Sequence, residues 1–161
     1  LQQHRELAPF AYCKCSVDAK GRLKAPSDFH DLLRALGAKF FVTSYDDLDI
    51  HIYTRSDFRT QCSFLENLAT QPELQDDAED TLFRMRHLGA DVTMDGEFRF
   101  TLPQELRQRL GLVELPASVR MGVDKDHIQV MSEVRYQARI NGSGQSSPAD
   151  AAKRLVQKGM R

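Results

Sequence analysis

Ser16-Val17-Asp18-Ala19-Lys20-Gly21-Arg22-Leu23-Lys24-Ala25-Pro26 returns in altered form as Thr93-Met94-Asp95-Gly96-Glu97-Phe98-Arg99-Phe100-Thr101-Leu102-Pro103. The offset is 77 residues, and Asp18/Asp95, Arg22/Arg99, Leu23/Phe100 and Pro26/Pro103 coincide. Each copy runs into a short amphipathic stretch, with Phe29, Leu32 and Leu33 in the first and Leu106 and Leu110 in the second. Both stretches end beside a glycine, Gly37 or Gly111. An apolar strand follows, Phe40-Phe41-Val42 or Val119-Arg120-Met121. Then come an acidic turn, Asp46-Asp47 or Asp124-Lys125-Asp126, and a last strand, Ile50 to Tyr53 or Ile128 to Met131. Two full cycles of hairpin, helix, strand, turn and strand mark an internal duplication.

Local chemistry supports the same segmentation. Alternating apolar residues indicate strands. Pro26 and Pro103 stand where a strand gives way to a helix, a position that proline's fixed φ suits. Ser27 and Asp28 are candidates to cap the first helix. In the second helix, about Pro103 to Leu110, Glu105 comes early and Arg107 and Arg109 late, the polarity that a helix dipole favours. Between the copies, Phe58, Cys62, Leu65 and Leu68, and then Leu74, Ala78, Leu82 and Met85, recur at helical spacing around Gln71-Pro72. This predicts a helical hairpin, with the acidic run Asp76 to Asp80 as a solvated first turn rather than a metal site. The organisation is therefore a first repeat at 10–55, a connecting helical hairpin at 56–88, a second repeat at 89–136 and a tail at 137–161. Asn141 to Pro148 has the composition of a flexible linker, and Ala149 to Arg161 reads as a basic, weakly helical end.

The motif itself carries chemistry. On a strand, Lys14, Ser16, Asp18, Lys20, Arg22 and Lys24 share one parity, and Val17, Ala19, Leu23 and Ala25 the other. One face packs; the other holds four cations and one carboxylate. A two-stranded ribbon fits the major groove of DNA, and an arginine fork matches guanine or phosphate. Asp18 is expected to orient this cluster or to start the turn at Ala19-Lys20-Gly21. The second copy departs: from Asp91 to Pro103 it holds three carboxylates and one cation, with Glu97 in place of Lys20 and Phe98 in place of Gly21. A side chain at the glycine position strains a turn that needs positive φ, which predicts that this turn shifts to Asp95-Gly96 while Phe98 joins the core. Arg99 is then the one DNA candidate of the second copy.

Composition narrows the class. The chain has 161 residues, 41% hydrophobic and 28% charged, as in globular proteins. No run approaches the ~20 apolar residues of a membrane span, and Leu1 to Pro9 lacks the apolar core of a signal peptide. Cys13, Cys15 and Cys62 make neither an even disulfide framework nor a paired zinc motif, so they read as reduced structural thiols of a cytoplasmic protein. His4, His30, His51, His87 and His127 are scattered singly, with no metal spacing, phosphate loop or nucleophile elbow beside them. His51 and His127, near matching places in the last strands, read as surface histidines. The expectation is a protein without catalytic residues, metal or cofactor. The formal net charge is −1, so attraction to DNA has to come from a local patch multiplied by self-assembly.

Asp-Ala-Lys-Gly-Arg at 18–22 with Pro26, repeated in degenerate form at 95–103, resembles the MraZ family of bacterial regulators associated with the division and cell wall gene cluster. The resemblance runs from about Phe10 to Tyr136. It implies a mainly β fold with short helices, in which two AbrB-like swapped-hairpin repeats fuse into a double-split β-barrel. It implies a ring-shaped homo-oligomer, nucleoid-associated, that binds repeated sites in promoter DNA and represses transcription. Carried over by motif, Lys20, Arg22 and Arg99 are the DNA-contacting positions, and the basic face adds Lys14 and Lys24. Asp18, Gly21, Pro26, Asp95 and Pro103 are the structural positions. The competing reading is an oligomeric interaction protein of the same fold that no longer reads DNA, for which the acidic second motif is the best support.

Overall fold

The computed structural model describes residues 1–142 and 147–161. After a short 3-10 segment at Gln2–Leu7, the first repeat forms β1 (Cys13–Val17), β2 (Arg22–Lys24), α1 (His30–Leu36), β3 (Lys39–Thr43), β4 (Ile50–Thr54) and α2 (Arg55–Leu68). A further helix, α3 (Gln75–Leu88), completes the hairpin with α2. The second repeat then runs β5 (Ala90–Thr93), β6 (Arg99–Thr101), α4 (Gln104–Arg109), β7 (Ala117–Asp124), β8 (His127–Ser132) and α5 (Glu133–Ile140). The order of strands and helices is the same twice.

All eight strands join one antiparallel sheet in the order β5-β3-β4-β8-β7-β1-β2-β6. The terminal strands β5 and β6 are successive in the chain and share a tight turn, so the sheet curls into a nearly closed barrel. The repeats are swapped through each other. β1 pairs with β7 and β3 with β5, so each repeat completes the ladder of the other. The register also displays a pseudo-two-fold axis: Leu23 faces Phe100 at the centre of β2–β6, and His51 faces Gln129 at the centre of β4–β8. Leu23 and Phe100 are fully buried, as are Val17, Phe40, Ile52 and Met121 from the same core. Neither repeat could bury this surface alone, which explains why the two interleave.

Three local expectations are corrected. Neither Ser27 nor Asp28 caps α1: both lie in a 3-10 turn, Ser27–Phe29, that leads into the helix with no side-chain cap. The capping residues are Thr54, accepting from Asp57 N at 3.0 Å, and Ser132, accepting from Arg135 N at 3.2 Å, at matching places in the two repeats. His51 and His127 are buried, with His51 Nδ1 and His127 Nε2 2.8 Å apart. They are not repeat partners, since the register matches His51 with Gln129. Finally, the stretch read as a flexible tail begins with the second half of α5. Part of the linker at 141–148 falls outside the described residues. Beyond it Pro148–Gln157 forms α6, where Ser147 accepts from Asp150 N and Pro148 opens the helix.

Candidate nucleic-acid interface

The Asp-x-x-x-Arg motif is first of all a turn. After β1 the chain reverses through Asp18–Gly21, with Asp18 N bonding to Arg22 O and Gly21 N to Asp18 O, each at 2.9 Å. The Asp18 carboxylate fastens it from within. Its Oδ1 accepts from Lys20 N and Arg22 N, and its Oδ2 from Arg22 Nε at 2.8 Å. These bonds favour the ionised form, so the Asp18 carboxyl is held below its usual range, chiefly by the Arg22 N–H. The expected orienting role of Asp18 is thus visible in detail.

The second motif repeats this network bond for bond. Asp95 Oδ1 accepts from Glu97 N and Arg99 N, and Oδ2 from Arg99 Nε at 2.7 Å. Asp95 N bonds to Arg99 O and Phe98 N to Asp95 O. The turn has therefore not shifted to Asp95-Gly96. Phe98 takes the left-handed conformation of Gly21, φ 60° against 77°. That conformation costs a side-chain-bearing residue roughly 1–2 kcal/mol, and the environment offsets it. The Phe98 ring is stacked on His30 at 3.8 Å, with Arg34 placed 5.1 Å from its centre, and it packs partly buried at the edge of the core.

The fold brings most of the sequence candidates together. β2 lies beside β6 with Lys24 facing Arg99 and Arg22 facing Thr101, while Leu23 and Phe100 point inward. Arg22, Lys24 and Arg99 therefore share one outer face between the two turns. Lys20 is exposed in the first turn rather than on the strand face where the parity argument put it. Lys14 is exposed but stands apart: on β1 it faces Arg120 of β7, which is held bidentately by Glu133 at 2.8 and 2.9 Å. Pro26 and Pro103 end β2 and β6, Pro26 before the 3-10 turn and Pro103 as the residue preceding α4.

The two turns differ in charge. Arg22 pairs with one carboxylate, Asp18. Arg99 pairs with two, Asp95 and, at 3.2 Å, Glu97. Sequence reasoning missed the residues that cover these turns, His30 and Arg107, because each comes from the helix of the opposite repeat. The signal was available: 30 and 107 are separated by the same 77 positions as the motifs. Among the described residues no group of three or more potential ligands is arranged to hold a metal ion, and no helix is long and apolar enough to cross a membrane.

A duplicated, strand-swapped hairpin barrel with paired Asp-x-x-x-Arg turns defines the class. No profile of a known protein family matches the chain. Individual relatives do. The chain is 36% identical over 93 residues to a protein of Acidobacterium capsulatum named transcriptional regulator MraZ, a match covering 57% of this chain and 62% of that protein. A protein of the same name from Koribacter versatilis is 32% identical, again matched over 62% of its length. A third, from Acidovorax sp. (strain JS42), is 28% identical over 141 residues, 86% of this chain and 92% of the relative. The chain is thus similar to proteins named transcriptional regulator MraZ, and it spans about three fifths of the length of the first two of them.

Proposed function

We propose that this protein is a transcriptional regulator that binds double-stranded DNA through the outer face of β2–β6 and the two turns flanking it. The observation that carries this reading is the register that sets Lys24 against Arg99 between two identically built Asp-x-x-x-Arg turns. A two-stranded ribbon bearing cations outward has the width to enter a major groove. The names of the relatives agree with regulation of transcription. Arg22 presents a guanidinium for a base edge, and Lys20 and Lys24 present ammonium groups for phosphate. The target is promoter DNA of division and cell wall genes, repression is the outcome, and the working form is a ring-shaped homo-oligomer in the cytoplasm and at the nucleoid. Oligomerisation follows from charge. A protomer with net charge −1 and one fully basic turn has little long-range attraction for a polyanion, whereas several turns along one rim multiply the contacts.

The test is equilibrium binding to the DNA upstream of the gene encoding this chain, at two salt concentrations, with a shuffled duplex as control. A regulator of this kind prefers the native fragment and weakens steeply with salt. Light scattering that returns a monomer at micromolar concentration would sink the ring.

The second reading, an interaction protein that no longer reads DNA, is favoured by one observation. Both motif arginines already have intramolecular carboxylate partners, and Arg99 has two. An intact oligomer with no preference for the native fragment and a flat salt response would leave that reading standing.

A further inference from the structure

The helices α1 and α4 cross onto the turns of the opposite repeat, and the two crossings differ. At the second turn, His30 of α1 lies flat on Phe98 and approaches its own strand's carbonyl, Ala25 O, at 3.4 Å. At the first turn, Arg107 of α4 takes the matching place and approaches the equivalent carbonyl, Leu102 O, at 3.5 Å. Gly21 leaves the room: a Cβ at that position would stand 2.7 Å from Arg107 Nε and 3.0 Å from Nη2. Gly21 thus serves twice, supplying the left-handed turn (φ 77°) and admitting a guanidinium against the turn's backbone.

Charge makes this placement informative. Arg22, Arg99, Arg109 and Arg120 each pair with a carboxylate. Arg107 pairs with none among the described residues, and its one side-chain hydrogen bond there is the long contact to Leu102 O. A half-buried guanidinium with most of its N–H donors unused, next to an exposed lysine, is suited to an oxyanion presented from solvent.

Resting on the DNA-binding reading above, we propose that Arg107, lent by the second repeat, is a phosphate-binding residue of the first motif. The first turn is then a composite site in which Lys20 and Arg107 hold phosphate beside the base-reading Arg22. The second repeat, whose own turn is acidic, contributes to binding by supplying a cation to its neighbour. Arg107 positions the duplex and carries no base preference.

The experiment is fluorescence anisotropy on full-length protein with two labelled duplexes, the upstream fragment and a shuffled one, across a salt series. Arg107→Gln is expected to weaken both duplexes alike and to lower the slope of log K against log salt by about 0.9 for each protomer in contact. Arg107→Lys keeps the charge and is expected to keep the slope. A slope unchanged in Arg107→Gln, with the wild type binding normally, overturns the assignment and leaves the DNA-binding reading intact. A slope lost equally in Arg107→Lys also overturns it, since geometry and not charge would then be at stake. Wild-type protein that binds neither duplex overturns both. To guard against a misfolded variant, the Arg107 Nε–Hε resonance is followed in the wild type as the shuffled duplex is added. A shift that salt reverses is the expected result, and a resonance that stays fixed while DNA binds refutes the proposal.

Discussion

The turns at Asp18–Arg22 and Asp95–Arg99 have the same hydrogen bonds and almost nothing else in common. Between their ends, Ala-Lys-Gly stands in one and Gly-Glu-Phe in the other. The conserved pair is what the geometry needs: a carboxylate that gathers two backbone N–H groups and a guanidinium Nε. The variable residues decide what the turn offers outside. One offers Lys20 and Arg107, which has no carboxylate partner among the described residues; the other offers Glu97 beside an arginine already held twice. The repetition of Asp-x-x-x-Arg is therefore evidence for a folding unit, and any binding function rests on the charges around it.

The largest effect comes where the two repeats are least distinguishable, at the buried pair on the pseudo-axis. Phe100→Ala is expected to cost about 3–5 kcal/mol and Leu23→Ala about 2–5 kcal/mol. Because the strands are swapped, each variant is expected to unfold in one transition by both fluorescence and circular dichroism in denaturant. Two separated transitions would show that the repeats fold independently.

Next in size is the exchange at the left-handed position. Gly21→Ala forces a Cβ into positive φ and against Arg107, with an expected cost of about 1–3 kcal/mol. Phe98→Gly relieves the same strain and gives up the stack on His30, so it is expected to change stability by less than about 1 kcal/mol. Equal losses on thermal melting would mean that Phe98 is held by more than its stack.

That exchange also marks how far the sequence could be read. The duplication and the helical hairpin were legible because apolar periodicity and motif spacing report local structure, whereas the barrel was implied by the family resemblance of the repeated motif. The unmoved turn at Phe98 was not. Its left-handed strain is offset by His30, which is distant in sequence and reaches Phe98 only through the strand swap. The buried His51–His127 contact failed for a related reason: its burial depends on which elements cover β4 and β8, and strand alternation does not contain that. For the candidate interface, strand parity put Arg22 and Lys24 on one face, and the register sets Arg99 beside them. Arg107 was seen only as a residue suited to its helix end.

Binding gives the third test. Arg22→Ala is expected to weaken the native fragment by about 1–3 kcal/mol, as for a lost base contact, and to narrow its preference over a shuffled duplex. Arg99→Ala is expected to do less, since Glu97 and Asp95 already engage that guanidinium and repel phosphate. The order Arg22 above Arg99 carries the comparison, and equal losses of affinity would show that the acidic turn rearranges to meet DNA.

The smallest effect is expected in acid, where the turn carboxylates titrate. Asp18 is held below the usual carboxylate range mainly by the Arg22 N–H. At Asp95 burial pushes upward, but the bonds from the Arg99 side chain and from the Arg99 and Glu97 N–H groups together outweigh it. A folded value below the unfolded one means that these groups stabilise the protein fully above the ordinary carboxylate value, about pH 4, and that the contribution fades as pH falls further. His127 acts in a different window. Burial, with His51 beside it, pushes it down to about 4, below the ordinary histidine value of about 6.5. The unfolded chain therefore takes up that proton first, and stability falls between those two values before the turns respond. Below about pH 4 the two turns are expected to respond alike, because each arginine Nε–H loses its acceptor when its own aspartate is protonated. Carbon-detected NMR of the two carboxyls, read with the Arg22 and Arg99 Nε signals through the same titration, measures this. Arg22 Nε is expected to move at the midpoint of Asp18, and Arg99 Nε at that of Asp95. An Arg99 Nε signal that stays fixed while Asp95 titrates would mean that the second turn is not held by the same bond as the first.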